Sequence, residues 1–499
     1  MIILFIAIVV AALAALSLGL VSLAIVEHNA VVQNGYTVQL TQVVLSGVDA
    51  AAKAIDDPAH PDLIDNPSRF CGIEVISAEL TPPGFGAGCF TVFSPRLEQE
   101  QVRGVRSGLT RESAKLSLEA VLNWENESPG QGVRALEKLP GMTPVMVDST
   151  LDWLDTDNDV RPQGAESAYY QQEQKTYRPR NAVPIALGEL LLIRDVEQAL
   201  IVGEDNQLTF GANQATLRIR SAAPPFGSID PFAPLLMTDS TISDTPARRR
   251  GQRQGQSRAQ MQEQSFGNTS AWQFLLTPYS AEKLVNPQGV VRVFLNESNL
   301  EFLESQLRLH QLDDESVRFI MQWRRERGNI GDTLDLLDVE MTGDVPSDIG
   351  PIPALRSSLF SVSTPEAYER FLKLLDETTT ESGVVLRGRI NVNEAPRPVL
   401  EAVPELTPEL VTTILARRRP GLVTQRHAVW LLAEGVVDLA TMRALSRRLT
   451  TGGDVYRIQV AGFFEDKPMF HRAEVVLDAT VKPPRMVFYK ELTPLGFPD

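Results

Sequence analysis

The sequence predicts an α+β chain: a long apolar helix leads into short strands, a large and mostly helical middle follows, and further strands close the C-terminus. Three observations predict it. Residues 1–26, MIILFIAIVVAALAALSLGLVSLAIV, carry no charge. Residues 69–93 and the stretches Val455–Phe464 and Met469–Val481 alternate and turn as strands do. Between these two β regions, a pattern of basic residue, apolar alternation, polar cap and helix occurs three times.

The N-terminal segment is long enough to cross a bilayer, which takes about 20 apolar residues as a helix. A cleaved secretory signal has an apolar core of only about 7–15 residues behind a basic start. No Lys or Arg precedes this segment, so residues 1–26 read as a single transmembrane anchor. Helical spacing continues through TVQLTQVVLSGVDAAAKAIDD to Asp57, with a break expected near Gly35 and an end at Pro58, Pro61 and Pro67. Residues 27–58 are therefore the part of the helix outside the bilayer. The 499 residues suffice for two to four domains. Sixty-three acidic against 47 basic residues, a net charge of −16, argue against a nucleic-acid partner, whose phosphates call for a basic surface.

The repeats begin at KLSLEAVLNW (Lys115–Trp124), RVFLNESNLEFL (Arg292–Leu303) and RINVNEAPRPVL (Arg389–Leu400). Each precedes a second helix, starting near Thr143, Asp313 and Thr407. Thr143 and Thr407 are good N-caps because Pro, which has no N–H to leave unpaired, follows at the first helical position. A third element recurs as ALGELLLIRDV, DTLDLLDV and RHAVWLLAEGVV. Residues 238–269, with the run Arg248–Arg250, have the composition of a disordered insertion.

One stretch carries a candidate metal site. In DWLDTDNDVRPQGAE, counting Asp155 as position 1, carboxylates fall at positions 1, 3, 5 and 12: Asp155, Asp157, Asp159 and Glu166, with Asp152 just ahead. Hard cations such as Ca2+ take about 6–8 oxygen ligands, and a wrapped acidic loop supplies them. Val160 stands where the EF-hand loop has Gly, and no clear exiting helix follows. The competing reading is a solvated acidic turn. The two cysteines, Cys71 and Cys89, flank a strand-like run and a Pro-Pro-Gly turn, which suits a bridged hairpin in an oxidising compartment; two unpaired thiols are the alternative.

Catalytic chemistry is not visible. The five histidines are isolated, and no P-loop, dinucleotide fingerprint or nucleophile elbow occurs, so no enzymatic activity is expected. ALEKLPGMTP (Ala135–Pro144) resembles the helix-hairpin-helix turn that presents backbone N–H groups to phosphate. The equivalent turns lack Gly and carry Asp313, Asp314 and Glu405, so hairpins that pack on each other are the structural reading. A membrane-tethered DNA-binding or uptake protein is the alternative function.

Taken together, DSTLDWLDTDNDVRPQGAESAYY, YRPRNAVPIALGELLLIRDV and GRINVNEAPRPVLEAVPELTPELVTTILARRR resemble the type II (general) secretion pathway protein K family, the large minor pseudopilin. The resemblance implies a pilin-like N-terminal helix and a small antiparallel sheet with a large inserted, mostly helical domain. Residues 59–106 would form the first part of that sheet, 107–450 the insertion, and 454–499 the strands that complete it. It implies an inner-membrane protein with its body in the periplasm, at the tip of a pseudopilus, initiating or capping assembly for export of folded periplasmic proteins. Two smaller minor pseudopilins and the major pseudopilin would be its partners, and calcium is associated with the helical domain. Most pilins place Glu at the fifth mature position; Phe5 stands here, and the family commonly lacks that Glu. The basic leader that a prepilin peptidase removes is missing, so either the reading frame starts upstream or Met1 acts as the mature first residue. Ser117 and Glu119 replace Asn residues usual at the first repeat.

Overall fold

The computed structural model describes residues 2–57, 63–81, 84–98, 101–172, 175, 177–203, 271–339, 344–345, 352–353 and 359–493. The insertion expected at 238–269, with Arg248–Arg250, lies outside the described residues, as do Pro58, Pro61, Pro82 and Pro83.

The chain opens with one helix, α1 (Ile2–Asp56), about 80 Å long at 1.5 Å per residue. No break occurs at Gly35, where an added Cβ would meet nothing within 4 Å. An exposed helical Gly costs only about 1 kcal/mol against Ala, and the flanking turns absorb that. The helix is long and apolar enough to cross a membrane. Leu40 is the first buried residue along it.

From Leu40 onward the helix lies on a seven-stranded sheet. Its strands are β1 (Ile73–Ile76), β2 (Gly88–Glu98), β3 (Gln101–Ser107) and β4 (Thr110–Arg111) from the N-terminal part, and β5 (Val455–Phe464), β6 (Lys467–Asp478) and β7 (Arg485–Glu491) from the C-terminal part. The order is β1-β2-β5-β6-β7, with β3 also on β2 and β4 also on β5. The two ends of the sequence meet at the β2–β5 pair, antiparallel, with Val92 opposite Val460. Strand alternation puts Val92, Ile458, Val460, Val475 and Leu477 on one face, packed against Val43, Val44, Val48 and Ala51 of α1. Gly47 allows the close approach: a Cβ there would lie 2.6 Å from Val460 Cγ1.

The expected Cys71–Cys89 bridge is not formed in this structure. The β1–β2 register sets Cys89 opposite Glu74, three residues past Cys71. Cys71 lies ahead of that strand, as the C-cap of a short helix, Pro67–Phe70. Cys89 is buried in the sheet. Its thiol is pushed up to about 12 by burial and by the Glu465 and Glu74 carboxylates.

The inserted domain is built from three repeats, and each closes on itself. A two-residue strand opens each repeat and pairs in parallel with one at its end: Leu116–Ser117 with Leu276–Thr277, Val293–Phe294 with Thr378–Thr379, and Ile390–Asn391 with Leu449–Thr450. Repeat one contains α2 (Leu118–Glu127), α3 (Gln131–Glu137), α4 (Pro144–Leu154) and α5 (Ser167–Gln172). Repeat two contains α6 (Leu300–Leu309), α7 (Asp314–Glu326) and α8 (Pro365–Glu377); α8 is not marked by the sequence pattern. Repeat three contains α9 (Arg397–Glu401) and α10 (Pro408–Arg417). Thr143, Asp313 and Thr407 cap α4, α7 and α10 as their side chains accept backbone N–H groups.

Two backbone positions fix the equivalence. In the hairpin turns Gly141, Gln311 and Glu405 have φ of 74, 57 and 71°, each two residues before the N-cap. After the third element Asp195, Asp338 and Gly435 have φ of 61, 52 and 65°, each followed by Val. Non-glycine residues here pay roughly 1–2 kcal/mol, so packing imposes the hairpin geometry in the second and third copies; in the first, a Cβ at Gly141 would lie 2.7 Å from Leu200 Cδ2.

The domain meets the sheet through buried charge. Glu112, fully buried, accepts from Lys115 Nζ at 2.9 Å, from Arg457 Nε at 2.8 Å, and from the Thr277 hydroxyl. Burial alone would raise its pKa, but Arg457 and then Lys115 hold the carboxyl well below the usual range. Removing one member of such a group leaves the others uncompensated, at about 3–5 kcal/mol. Glu112→Ala should lower the unfolding free energy of the detergent-solubilised chain by that amount in urea titrations. The same contribution in the wild type should fade as the pH falls below about 4, where an unfolded-chain Glu takes up its proton.

Candidate metal centre

The acidic loop begins where α4 ends. Asp155 is the C-cap of α4, and its N–H reaches back to the Leu151 carbonyl. Asp152, three residues earlier and so on the same side of the helix, is fully buried. The chain then loops out through Asp157 and returns to α5, a short exiting helix that the sequence did not announce. Asp157 makes a local turn by accepting the Asp159 N–H at 2.8 Å, and Asp159 and Val160 are exposed. Val160 has no positive φ, so the loop does not take the EF-hand turn at that position.

The return limb is tied to α4. Asp152 accepts the Arg161 N–H, at 3.3 Å to Oδ1. Gln163 N donates to Asp148 at 2.9 Å. Gly164 passes so close that a Cβ would lie 1.9 Å from Asp152 Oδ2; no other residue fits there. Glu166 is 2 % exposed, and only one of its oxygens, accepting from Ser167 N at 3.3 Å, has a partner. Arg161 was not read as functional, yet its guanidinium bonds Glu125 at 3.2 Å and its Nε stands 3.6 Å from Asp152. Glu125 in turn accepts three N–H groups, from Gly130, Gly132 and Val133, a role foreshadowed only by the Ser-Pro-Gly turn behind it.

The carboxylates press on one another. Burial, then the charge of Asp155, moves Asp152 up to about 6, against its hydrogen bond from Arg161 N. Burial, then Asp152, then Asp155 and Asp157, moves Glu166 up to about 7. Asp155 is raised by burial and by Asp157. Two buried oxygens, Asp155 Oδ1 and Glu166 Oε1, have no hydrogen-bond donor. The structure thus gathers Asp152, Asp155, Asp157 and Glu166 and leaves Asp159 at the rim. Among the described residues no group of three or more His, Cys, Asp or Glu is placed so that it could hold a metal ion; the arrangement is an open acidic cluster. Orphaned anionic oxygens such as these two are the groups a hard cation coordinates, and an ion between them would relieve the repulsion.

The wall behind the cluster is aromatic. Trp153 packs on Tyr170 and Tyr177, and its indole N–H donates to Glu189 at 3.1 Å. Arg194 donates its backbone N–H to the Tyr170 hydroxyl and its side chain to the Gly164 carbonyl. The segment from Tyr177 to Asp195 therefore clamps the loop from behind.

Residues 115–202, which include the whole cluster and this wall, match the family model of the type II secretion system (T2SS), protein K. The chain is also similar to a chain of a crystal structure described as the GspK-GspI-GspJ complex from enterotoxigenic Escherichia coli Type 2 Secretion System. That similarity has 10 % sequence identity and a TM-score of 0.30, and covers 92 % of this chain and 97 % of that one. No curated protein matches the chain.

Raised carboxylate pKa values make the folded, cation-free state hold protons that the unfolded chain has released. Stability from this source is full below about pH 4 and is lost as the pH climbs through 6 and 7. In chelator, the melting temperature should therefore fall between pH 5 and pH 8, and Asp152→Asn with Glu166→Gln should flatten that part of the profile.

Proposed function

We propose that this chain, whose residues 115–202 match the family model of type II secretion system protein K, is a minor pseudopilin at the tip of a pseudopilus. On this reading it initiates or caps assembly for the export of folded proteins, as a structural component and not a catalyst. One observation carries the proposal: a single chain joins a bare apolar helix of pilin type, α1, to a domain of that family through a sheet built from both chain ends. A helix apolar from its first residues packs along a filament of similar helices. The three-repeat domain at its far end is too broad to recur at every step of such a filament, and it fits once, where nothing stacks above. Residues 1–26 carry no charge, so this helix asks for no charged partner in lipid, where an unpaired charge is expensive.

The proposal places α1 in the inner membrane, the body in the periplasm, and two smaller minor pseudopilins and the major pseudopilin against α1 and the sheet. Affinity purification of the full chain from its own membranes should recover pilin-like chains, and its deletion should reduce secretion of folded proteins. Recovery of no such chain together with normal secretion would overturn the reading.

The acidic cluster is proposed to hold Ca2+. Asp152, Asp155, Asp157 and Glu166 would hold it, Asp159 lying too far out for more than a water-mediated contact. The ion would order the loop that the Tyr177–Asp195 segment clamps, and so stiffen repeat one. Millimolar calcium should raise the melting temperature of the full chain at pH 7.5 and chelator should lower it, as expected for a ligand that binds only the folded state. Asp155→Ala with Glu166→Ala should abolish the difference; a melt insensitive to calcium would leave a solvated acidic turn.

A further inference from the structure

A cavity of about 1070 Å3 lies where repeats two and three meet the sheet side of the domain, a size typical of small-molecule sites. Its charges are mostly settled in pairs. Arg111 faces Glu394 at 2.5 Å, Arg426 faces Asp376 at 3.1 Å, and Arg447 faces Glu381 at 3.8 Å. Asp332 caps Leu334 N and accepts the Ser446 hydroxyl. Three groups remain. Arg292 spends only its Nε, on the Val285 carbonyl at 3.1 Å. The Arg389 side chain makes no hydrogen bond or ion pair among the described residues, and the Glu282 carboxylate makes no ion pair there.

The repeats show what such a position wants. Lys115, Arg292 and Arg389 are equivalent: each directly precedes the two-residue strand that opens its repeat. In repeat one a carboxylate of the chain itself, Glu112, sits between Lys115 and Arg457. Among the described residues neither Arg292 nor Arg389 makes an ion pair, and both line the same cavity. We propose that this cavity binds the oxyanion group of a small molecule, a phosphate or carboxylate, between Arg292 and Arg389, as Glu112 binds between Lys115 and Arg457.

Planar guanidinium groups suit this task because they offer paired N–H donors to oxyanions. The mutual repulsion of Arg292 and Arg389 falls when an anion enters. Burial also disfavours the charged form of Arg292, while Glu282 and Asp376 favour it and Arg389 opposes it. Asp376 and Asp454 also work against an anion there, but Asp376 is paired with Arg426 and Asp454 accepts the Lys283 N–H; loss of the Glu282 charge therefore carries a signature of opposite sign.

The test is calorimetric titration of the full chain in detergent with inorganic phosphate, against sodium chloride at equal ionic strength so that general screening cancels. One saturable phosphate site is expected. Arg292→Gln and Arg389→Gln should each weaken it at least about tenfold, the scale of losing one charge-assisted contact, with the calcium response unchanged. Glu282→Gln should tighten it. Absence of saturable phosphate binding, or binding unaffected by Arg389→Gln, would overturn the proposal. If either arginine variant fails to fold, Glu282→Gln decides: unchanged affinity in that variant also overturns it.

Discussion

The architecture depends on one buried carboxylate. Glu112 stands at the hinge where the chain leaves the sheet for the helical domain, and its three partners come from three places. Lys115 leads into repeat one, Thr277 belongs to the strand that closes repeat one, and Arg457 lies on the central strand contributed by the C-terminus. Arg457 extends the link to Glu474 on the neighbouring strand. An apolar interface of the same area would tolerate sliding; a desolvated charge with fixed donors does not, because each wrong register leaves a charge unpaired. The orientation of the domain on the sheet is therefore fixed by this charge, beside a small apolar contact of Ala281 with Val455 and Val476.

The distance along the chain between such partners explains which features were legible in the sequence. The helix, the strands at the two ends and the three repeats are written in local periodicity, and Val455–Phe464 even kept its expected bounds. The caps at Thr143 and Thr407 follow from one residue and the proline after it. What periodicity does not carry is which surfaces come together. Cys71 and Cys89 flank a turn as bridged residues do, but strand register, not spacing, sets their separation. The acidic loop was counted from Asp155 as a self-contained ligand string. Asp152, read as standing just ahead of that string, is held beside Asp155 by helical phase, whereas Asp159 is left at the rim, and Gly164, not the turn at Val160, is the residue the loop cannot replace. Arg161 is not marked by the sequence because its partners, Glu125 and Asp152, lie on two different helices.

The repeats also show how a fold tolerates poor local chemistry. Gln311 and Glu405 occupy the left-handed position that Gly141 fills in the first copy. Their turns form because Leu312 and Leu406 are driven into the core beside them, a gain larger than the backbone strain. The copies thus share this backbone conformation without sharing the residue.

The topology has a consequence for synthesis. Each repeat pairs its opening strand with its own closing strand, and the three share one core, so the domain has all its parts once Thr450 has been made. The sheet is not complete then: Val92 pairs with Val460, about 370 residues later. Until the C-terminal strands emerge, β2 keeps an open edge and α1 lacks half of the surface it packs on. Open edges invite association with other chains, and pairings this distant are intrinsically slow. Completion of the sheet therefore reports that the whole chain has been translated. A truncated product would carry a folded domain on an unfinished base, marked for degradation by its own exposed edge.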